Sequence, residues 1–127
     1  MKRVSTDQAP AAVGPYSQAI AAGGYVYTSG QLGIDLSGRL AEGLEGQTRR
    51  AIENLSAVLL AAGSSLSSVV KTTCYLSNIN DFARFNEIYA EYFTEKPART
   101  LIEAAALPKG AILEIDAVAE IEKEQGE

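Results

Sequence analysis

The sequence predicts an α+β fold, a single mixed β-sheet with two helices packed on one face. Two stretches with helical spacing of apolar residues stand among shorter alternating stretches, in the order β-ββ-α-β-α-ββ. The third observation is the pattern of residues 112–121. Leu113, Ile115, Ala117, Ala119 and Ile121 share one face; Ile112, Glu114, Asp116, Val118 and Glu120 share the other. A solvated face would rarely keep Ile112 and Val118, and a core face would rarely keep three carboxylates. The mixture suits a face covered by another subunit, with a wet pocket left inside the contact.

Lys2 to Thr6 is a short candidate strand. The irregular segment Asp7 to Pro15 follows, with Pro10, Gly14 and Pro15 but little polar character, so it is expected to pack down. Strands of about Ser17 to Ala22 and Tyr25 to Ser29 are joined by Gly23-Gly24, where both positions can take positive φ. Ser29-Gly30-Gln31 ends the second, and its glycine allows a close approach of backbone to a ligand. Asp35 to Gly38 is a turn.

The first helix is expected from about Gly46 to Ala62. Ala51, Ile52, Leu55, Val58, Leu59 and Ala62 form its apolar stripe, with Arg49, Arg50, Glu53 and Asn54 largely outside. Gly63 suits the position just past the helix end. Val69 to Leu76 reads as a strand with Val70, Thr72, Cys74 and Leu76 on one face. Asn80 can cap a second helix, in which Phe82, Phe85, Tyr89 and Tyr92 or Phe93 repeat as a packing stripe and Pro97 is the stop. Arg99 to Ala104 and Ile112 to Ile121 then read as a hairpin turned by Pro108 and Gly110. Residues 122–127 are charged and expected to fray. The whole, 1–127, is one domain.

Composition closes several routes. A balance of 11 basic against 16 acidic residues disfavours a nucleic-acid partner, because that affinity comes from Lys and Arg neutralising phosphates. No apolar run approaches membrane-spanning length, and Met1 to Ser5 lead into no signal-peptide core, so the chain reads as cytoplasmic with no membrane partner. Cys74 is alone and sits on an apolar strand face, as a core thiol does. Without histidine, neither a Ser-His-Asp or Cys-His arrangement nor a zinc site needing imidazole can be built within the chain. There is no phosphate loop and no dinucleotide fingerprint, and no metal or cofactor is expected. Chemistry must rest on carboxylates, arginine, hydroxyls, backbone groups and water.

Several separate motifs agree in order and spacing with one family. They are Ala9 to Ala19 (Ala-Pro-Ala-Ala-Val-Gly-Pro-Tyr-Ser-Gln-Ala), Thr28-Ser29-Gly30-Gln31, the Ala51–Gly63 helix, Val70-Lys71-Thr72-Thr73, Asn80-Asp81-Phe82, Pro97-Ala98-Arg99, Leu107-Pro108-Lys109-Gly110 and Glu114-Ile115. From about Ala9 to Ile121 the chain resembles the RidA (YjgF) family. The resemblance implies a chorismate-mutase-like homotrimer with pockets between subunits. It also implies hydrolysis of 2-imino acids or their enamine tautomers, such as 2-iminobutanoate and 2-iminopropanoate, to 2-oxo acids and ammonia. Those imines are released by pyridoxal-phosphate enzymes, and the family uses no cofactor itself.

Carried over by motif, Arg99 matches the arginine that holds the substrate carboxylate and Glu114 the glutamate that handles the attacking water. Tyr16 matches a pocket-wall tyrosine, Ser29 and Gly30 the pocket backbone, and Asn86 a pocket asparagine. Leu101 stands where some members have cysteine and is assigned to packing at the pocket wall. The Thr94-Glu95-Lys96 link is shorter than usual in the family.

The chemistry supports these roles independently. A guanidinium meets a planar carboxylate with two parallel hydrogen bonds, fixing orientation as well as charge. Imine hydrolysis needs a group to position water and shuttle protons, a role worth roughly 10²–10⁴ in rate. Asp116 and Glu120 read as structural or interfacial. Two other classes stand beside this reading. Some members are described as endoribonucleases or translation inhibitors, against which the acidic balance and missing histidine count here. A non-catalytic small-carboxylate binder or chaperone-like protein would use the same cleft without turnover.

Overall fold

Alternating apolar residues at 113–119 give this segment a face that must be buried, and that face becomes the floor of the core. The structure, a computed structural model, describes residues 1–122; the expected fraying concerns a tail most of which, 123–127, lies outside the described residues. In chain order the elements are β1 (Lys2–Val4), β2 (Ala19–Ala22), β3 (Tyr25–Thr28), β4 (Gln31–Leu32), α1 (Gly43–Ala61), β5 (Val69–Leu76), α2 (Phe82–Tyr92), β6 (Ala98–Glu103) and β7 (Leu113–Glu120). They form one mixed sheet in the order β1-β2-β3-β7-β5-β6, with β4 also paired to β7. Only β5 and β6 run parallel.

Both helices cover the face that carries Leu113, Ile115, Ala117 and Ala119. Ala51, Ile52, Leu55, Val58 and Leu59 of α1 and Phe85 and Tyr89 of α2 join those residues in one buried cluster. Gly33 lets α1 come close: a β-carbon there would collide with the Gln47 backbone. Gly23 and Gly24 turn the β2–β3 hairpin with φ of 61° and 86°, and Gly63 follows α1 with φ of 84°, as their residue types require.

The Pro97–Asp116 hairpin does not form. β5 lies between the two strands, parallel to β6 (Thr72 opposite Arg99) and antiparallel to β7 (Thr72 opposite Ala117). The turn is real, with Gly110 N donating to Leu107 O at 3.1 Å, but residues 104–112 are long enough to step past a strand. β5 buries Thr72, Cys74 and Leu76 and gains by pairing on both edges, which a hairpin beside it would deny.

Three smaller expectations are also corrected. A register shift between Val69 and Lys71 turns Val69 inward and Val70 outward, so Val70 does not share the face of Thr72 and Cys74. Asn54 is buried within the α1 face, its Nδ2 donating to Leu32 O at 3.1 Å and Ile34 O at 2.8 Å. Asn80 is not the cap of α2. Asp81 holds that position without a side-chain bond, while the Asn78 side chain accepts from Asn80 N. Phe82 stays 45% exposed, and Phe93, just past the helix, is buried instead.

The loop after β1 is packed down by one side chain. Gln18, 5% exposed, accepts from Thr6 N at 2.7 Å through Oε1. Its Nε2 donates to Thr6 O at 3.1 Å and Pro10 O at 2.9 Å. These bonds take Thr6 out of β1, which ends at Val4. Gln18→Ala should lower stability by roughly 1–3 kcal/mol, because buried backbone groups lose their partners. Denaturant unfolding checks the magnitude, and faster hydrogen exchange at the Thr6 amide checks its location.

Candidate active site

β3 and β4 occupy the same edge of β7 as one interrupted strand. Tyr27 lies opposite Val118 and Gln31 opposite Ile115, so Thr28, Ser29 and Gly30 face only Asp116 and Ala117. The surplus residue is a bulge. Thr28 Oγ1 accepts from Ala117 N at 3.0 Å, replacing a ladder bond. Ser29 turns back toward the loop, its N donating to Gln18 O at 2.9 Å and its Oγ to Ser17 O at 2.5 Å. The bend lays Gly30 directly on Glu114, where any β-carbon would collide with the carboxyl.

These residues floor a cleft of about 630 Å³, walled by the Pro10–Val13 loop, Tyr16 and Lys109. Tyr16 N donates to Gly14 O at 2.8 Å, a tight turn that holds the ring over Gly14 at the rim. Lys109 enters from the turn before β7 with φ of 61°. Glu114 is half-buried, and its carboxyl has no hydrogen bond or ion pair within the chain among the described residues. Burial raises its carboxyl above the ordinary carboxylate range, and the charge of Asp116 adds to this. Asp116 is raised by burial too, against the pull of the Tyr75 hydroxyl and Lys71.

Arg99 stands elsewhere. It lies on β6, an outer strand of the sheet, opposite Thr72 and on the helix-covered face. Its Nη1 donates to Asn86 Oδ1 at 2.7 Å, and its guanidinium carbon sits 4.8 Å from the centre of the Tyr89 ring. The Tyr89 and Thr72 hydroxyls share a hydrogen bond of 2.7 Å. Leu101, two residues on, lies opposite Cys74 and packs against the core. Burial pushes the Cys74 thiol up to about 11, which makes it a poor nucleophile.

The sequence-derived site residues therefore fall into two groups. Tyr16, Ser29, Gly30 and Glu114 meet in the cleft; Arg99, Asn86 and Leu101 meet where β6 adjoins α2. Glu114 pairs with Tyr75, which points to the sheet face opposite that of Thr72 and Cys74. One chain does not bring Arg99 and Glu114 onto one small molecule. Sequence reasoning missed Gln18, Thr28 and Lys109. A signal existed for the bulge, since Gly30 interrupts an alternation that Gln31-Leu32 resumes. Gln18 lies in irregular backbone, where periodicity says nothing.

Among the described residues no group of His, Cys, Asp or Glu could hold a metal ion, and no helix is long and apolar enough to cross a membrane. The profile of the Endoribonuclease L-PSP family matches residues 6–121. A human protein named 2-iminobutanoate/2-iminopropanoate deaminase is 48% identical over 119 residues, 91% of this chain and 87% of that one. RidA from an Antarctic Psychrobacter superposes with a TM-score of 0.92 at 45% identity, covering 95% of this chain and all of the other (100%). TdcF of E. coli with bound serine superposes with a TM-score of 0.90 at 38% identity, covering 94% and 98% of the two chains.

The half-buried acid sets a pH dependence whose sign is fixed. The folded value of Glu114 lies above the ordinary 4.5, so its contribution favours folding below that pH and is lost as pH rises through the folded value. Glu114→Gln, neutral at every pH, should therefore unfold at higher denaturant than wild type at pH 7. The difference should vanish at about pH 3.5, where both side chains are uncharged. Urea midpoints at the two pH values check this.

Proposed function

This chain belongs to the Endoribonuclease L-PSP family, which is the RidA (YjgF) family, and on that footing we propose that it hydrolyses reactive 2-imino acids to 2-oxo acids and ammonia. The observation that carries the reading is Glu114: an unpartnered, half-buried carboxyl seated on the Gly30 backbone at the floor of a cleft. Relatives named for action on 2-iminobutanoate and 2-iminopropanoate support that substrate class, and serine in TdcF is of the same size and carries the same carboxylate.

The reaction adds water across C=N and then breaks the C–N bond. Glu114 takes a proton from water as the water oxygen bonds to the imine carbon, and gives it to the nitrogen. It then takes the remaining hydroxyl proton of the adduct and gives that to the nitrogen too, so that C=O forms as the C–N bond breaks and ammonia leaves. Such a group works best with its proton affinity near the operating pH, the direction in which burial moves Glu114. The Ser29-Gly30 backbone and Tyr16 frame the substrate. Arg99 takes the carboxylate; Asn86 occupies only its Nη1, and its remaining donors have no partner among the described residues.

Arg99 and Glu114 lie on opposite faces of the sheet, so the active unit is an assembly in which one copy's β6 brings Arg99 and Asn86 to the next copy's cleft. That contact joins unlike surfaces, and such contacts close as rings rather than two-fold dimers. A homotrimer is the ring we assign. The outer sheet face gives it apolar surface, with Tyr27 48% and Ile102 45% exposed beside half-buried Val118. The same reading puts the protein in the cytoplasm, beside the pyridoxal-phosphate enzymes that release such imines, with no nucleic-acid partner.

Light scattering at micromolar concentration should give a three-chain mass; a monomeric mass would remove the shared site. A threonine dehydratase supplies the short-lived 2-iminobutanoate continuously, and semicarbazide traps what survives. Adding the protein should diminish the trapped product. Arg99→Ala should abolish most of that effect while the trimer stays folded, since charge-assisted hydrogen bonds of ~1.5–3 kcal/mol each anchor so small a substrate. Arg99→Lys should restore only part of it, because an ammonium keeps the charge but loses the planar fork. An unchanged trapped yield with wild-type protein would overturn the hydrolase reading.

A further inference from the structure

Behind Glu114 the outer face of the sheet holds a second acid. Asp116 follows by two residues on β7, so the two carboxyls share that face. Tyr75 of β5 stands opposite Glu114 in register, and its hydroxyl donates to Asp116 Oδ2 at 3.2 Å. The bond fixes the Asp116 carboxylate in place, with its other oxygen free of any described partner. Asp116 forms no ion pair among the described residues. Lys71 acts on it from β5, but the Lys71 ammonium is held by Thr100 Oγ1 at 2.8 Å.

We infer that Tyr75 and Asp116 are a positioning pair for Glu114, keeping a fixed negative charge beside it so that it readily holds the proton it must hand to the departing nitrogen. The pair touches neither water nor imine; it acts through Glu114, and it rests on the hydrolysis reading above. Two like charges this close disfavour each other's ionisation, and half-burial keeps water from screening them. The direction found at Glu114, raised by burial and by Asp116, agrees with this arrangement. The other groups facing the pair are Lys71 from β5, Tyr27 from β3, and Tyr16 and Lys109 across the cleft, with Glu120 further along β7 and, in the proposed ring, Arg99 of the next copy. Lys71, Lys109 and that guanidinium favour ionised carboxyls and oppose the effect, so the pair must outweigh them.

Carbon-13 NMR titration of the side-chain carboxyls in the assembled full-length protein reads this directly. Loss of a signal in Glu114→Gln identifies the residue. Asp116→Asn keeps the shape but removes the charge, and should lower the Glu114 midpoint by about 0.5 pH unit or more. The acid limb of kcat/KM should move to lower pH with it. Tyr75→Phe should shift the midpoint the same way by less, because Asp116 without its donor takes up a proton more readily. A merely structural role for Asp116 would leave the midpoint alone, and a midpoint unmoved in both variants overturns the pair. If Asp116→Asn does not assemble, Tyr75→Phe decides by the same criterion. The titration does not depend on turnover. A wild type without imine hydrolysis would sink the functional reading while the midpoints still judged the pair.

Discussion

Everything at the cleft depends on how β7 shares its two edges. β5 takes one edge over most of its length, while β3 and β4 divide the other. The chain from Tyr27 to Gln31 is one residue too long to pair straight through, and the surplus is expelled as a bulge. Thr28 repairs the ladder by accepting a hydrogen bond from Ala117 N through its hydroxyl oxygen, Ser29 ties the bend to Ser17 and Gln18, and Gly30 is left against Glu114. Gln18 then extends the same chain of bonds to Thr6 and Pro10, so the cleft's wall and floor are fastened to one another. A bulge is thus the reason a carboxyl on a sheet face has a cavity in front of it rather than a neighbouring strand.

Arg99, by contrast, is positioned by packing. Phe85, Ile88 and Tyr89 are buried and fix α2 on the sheet, and Tyr89 in turn carries the Arg99 guanidinium on its ring. Glu45, Arg49, Arg84 and Glu91 link α1 to α2 by ion pairs, but these are exposed, and such pairs contribute little each. The core, not the charges, decides where Arg99 stands.

What was legible in the sequence was local. Gly23-Gly24, Gly63 and the Ala51–Leu59 stripe announce a turn, a helix end and a helix face because each depends on residues a few positions away. The strand order was not legible. Arg99–Ala104 and Ile112–Ile121 have turn residues between them, yet β5, some forty positions earlier than β7, enters between them. Alternation also misassigned Val70, since a one-residue shift in pairing inverts every side chain before it. Asn54 breaks the apolar stripe by residue type alone, and only the carbonyls of Leu32 and Ile34 explain its burial. The family motifs named four residues, Tyr16, Ser29, Gly30 and Glu114, that the structure brings together in one cleft. They could not reveal that Arg99 and Glu114 occupy opposite faces, because the face of a residue is decided by the strand it pairs with.

The central position of β7 also governs when the molecule can come into being. β7 is the last of the described strands along the chain, yet β3, β4 and β5 all pair with it and α1 packs on it. During synthesis the β2–β3 hairpin and α1 emerge early, with an open strand edge and an uncovered apolar stripe. They wait through some fifty further residues for the partner that satisfies both. Nascent chains in this interval expose the surfaces on which unfinished sheets join the wrong neighbour. Speed of completion, or a chaperone on that stripe, is then as much a condition of this fold as any contact in its finished form.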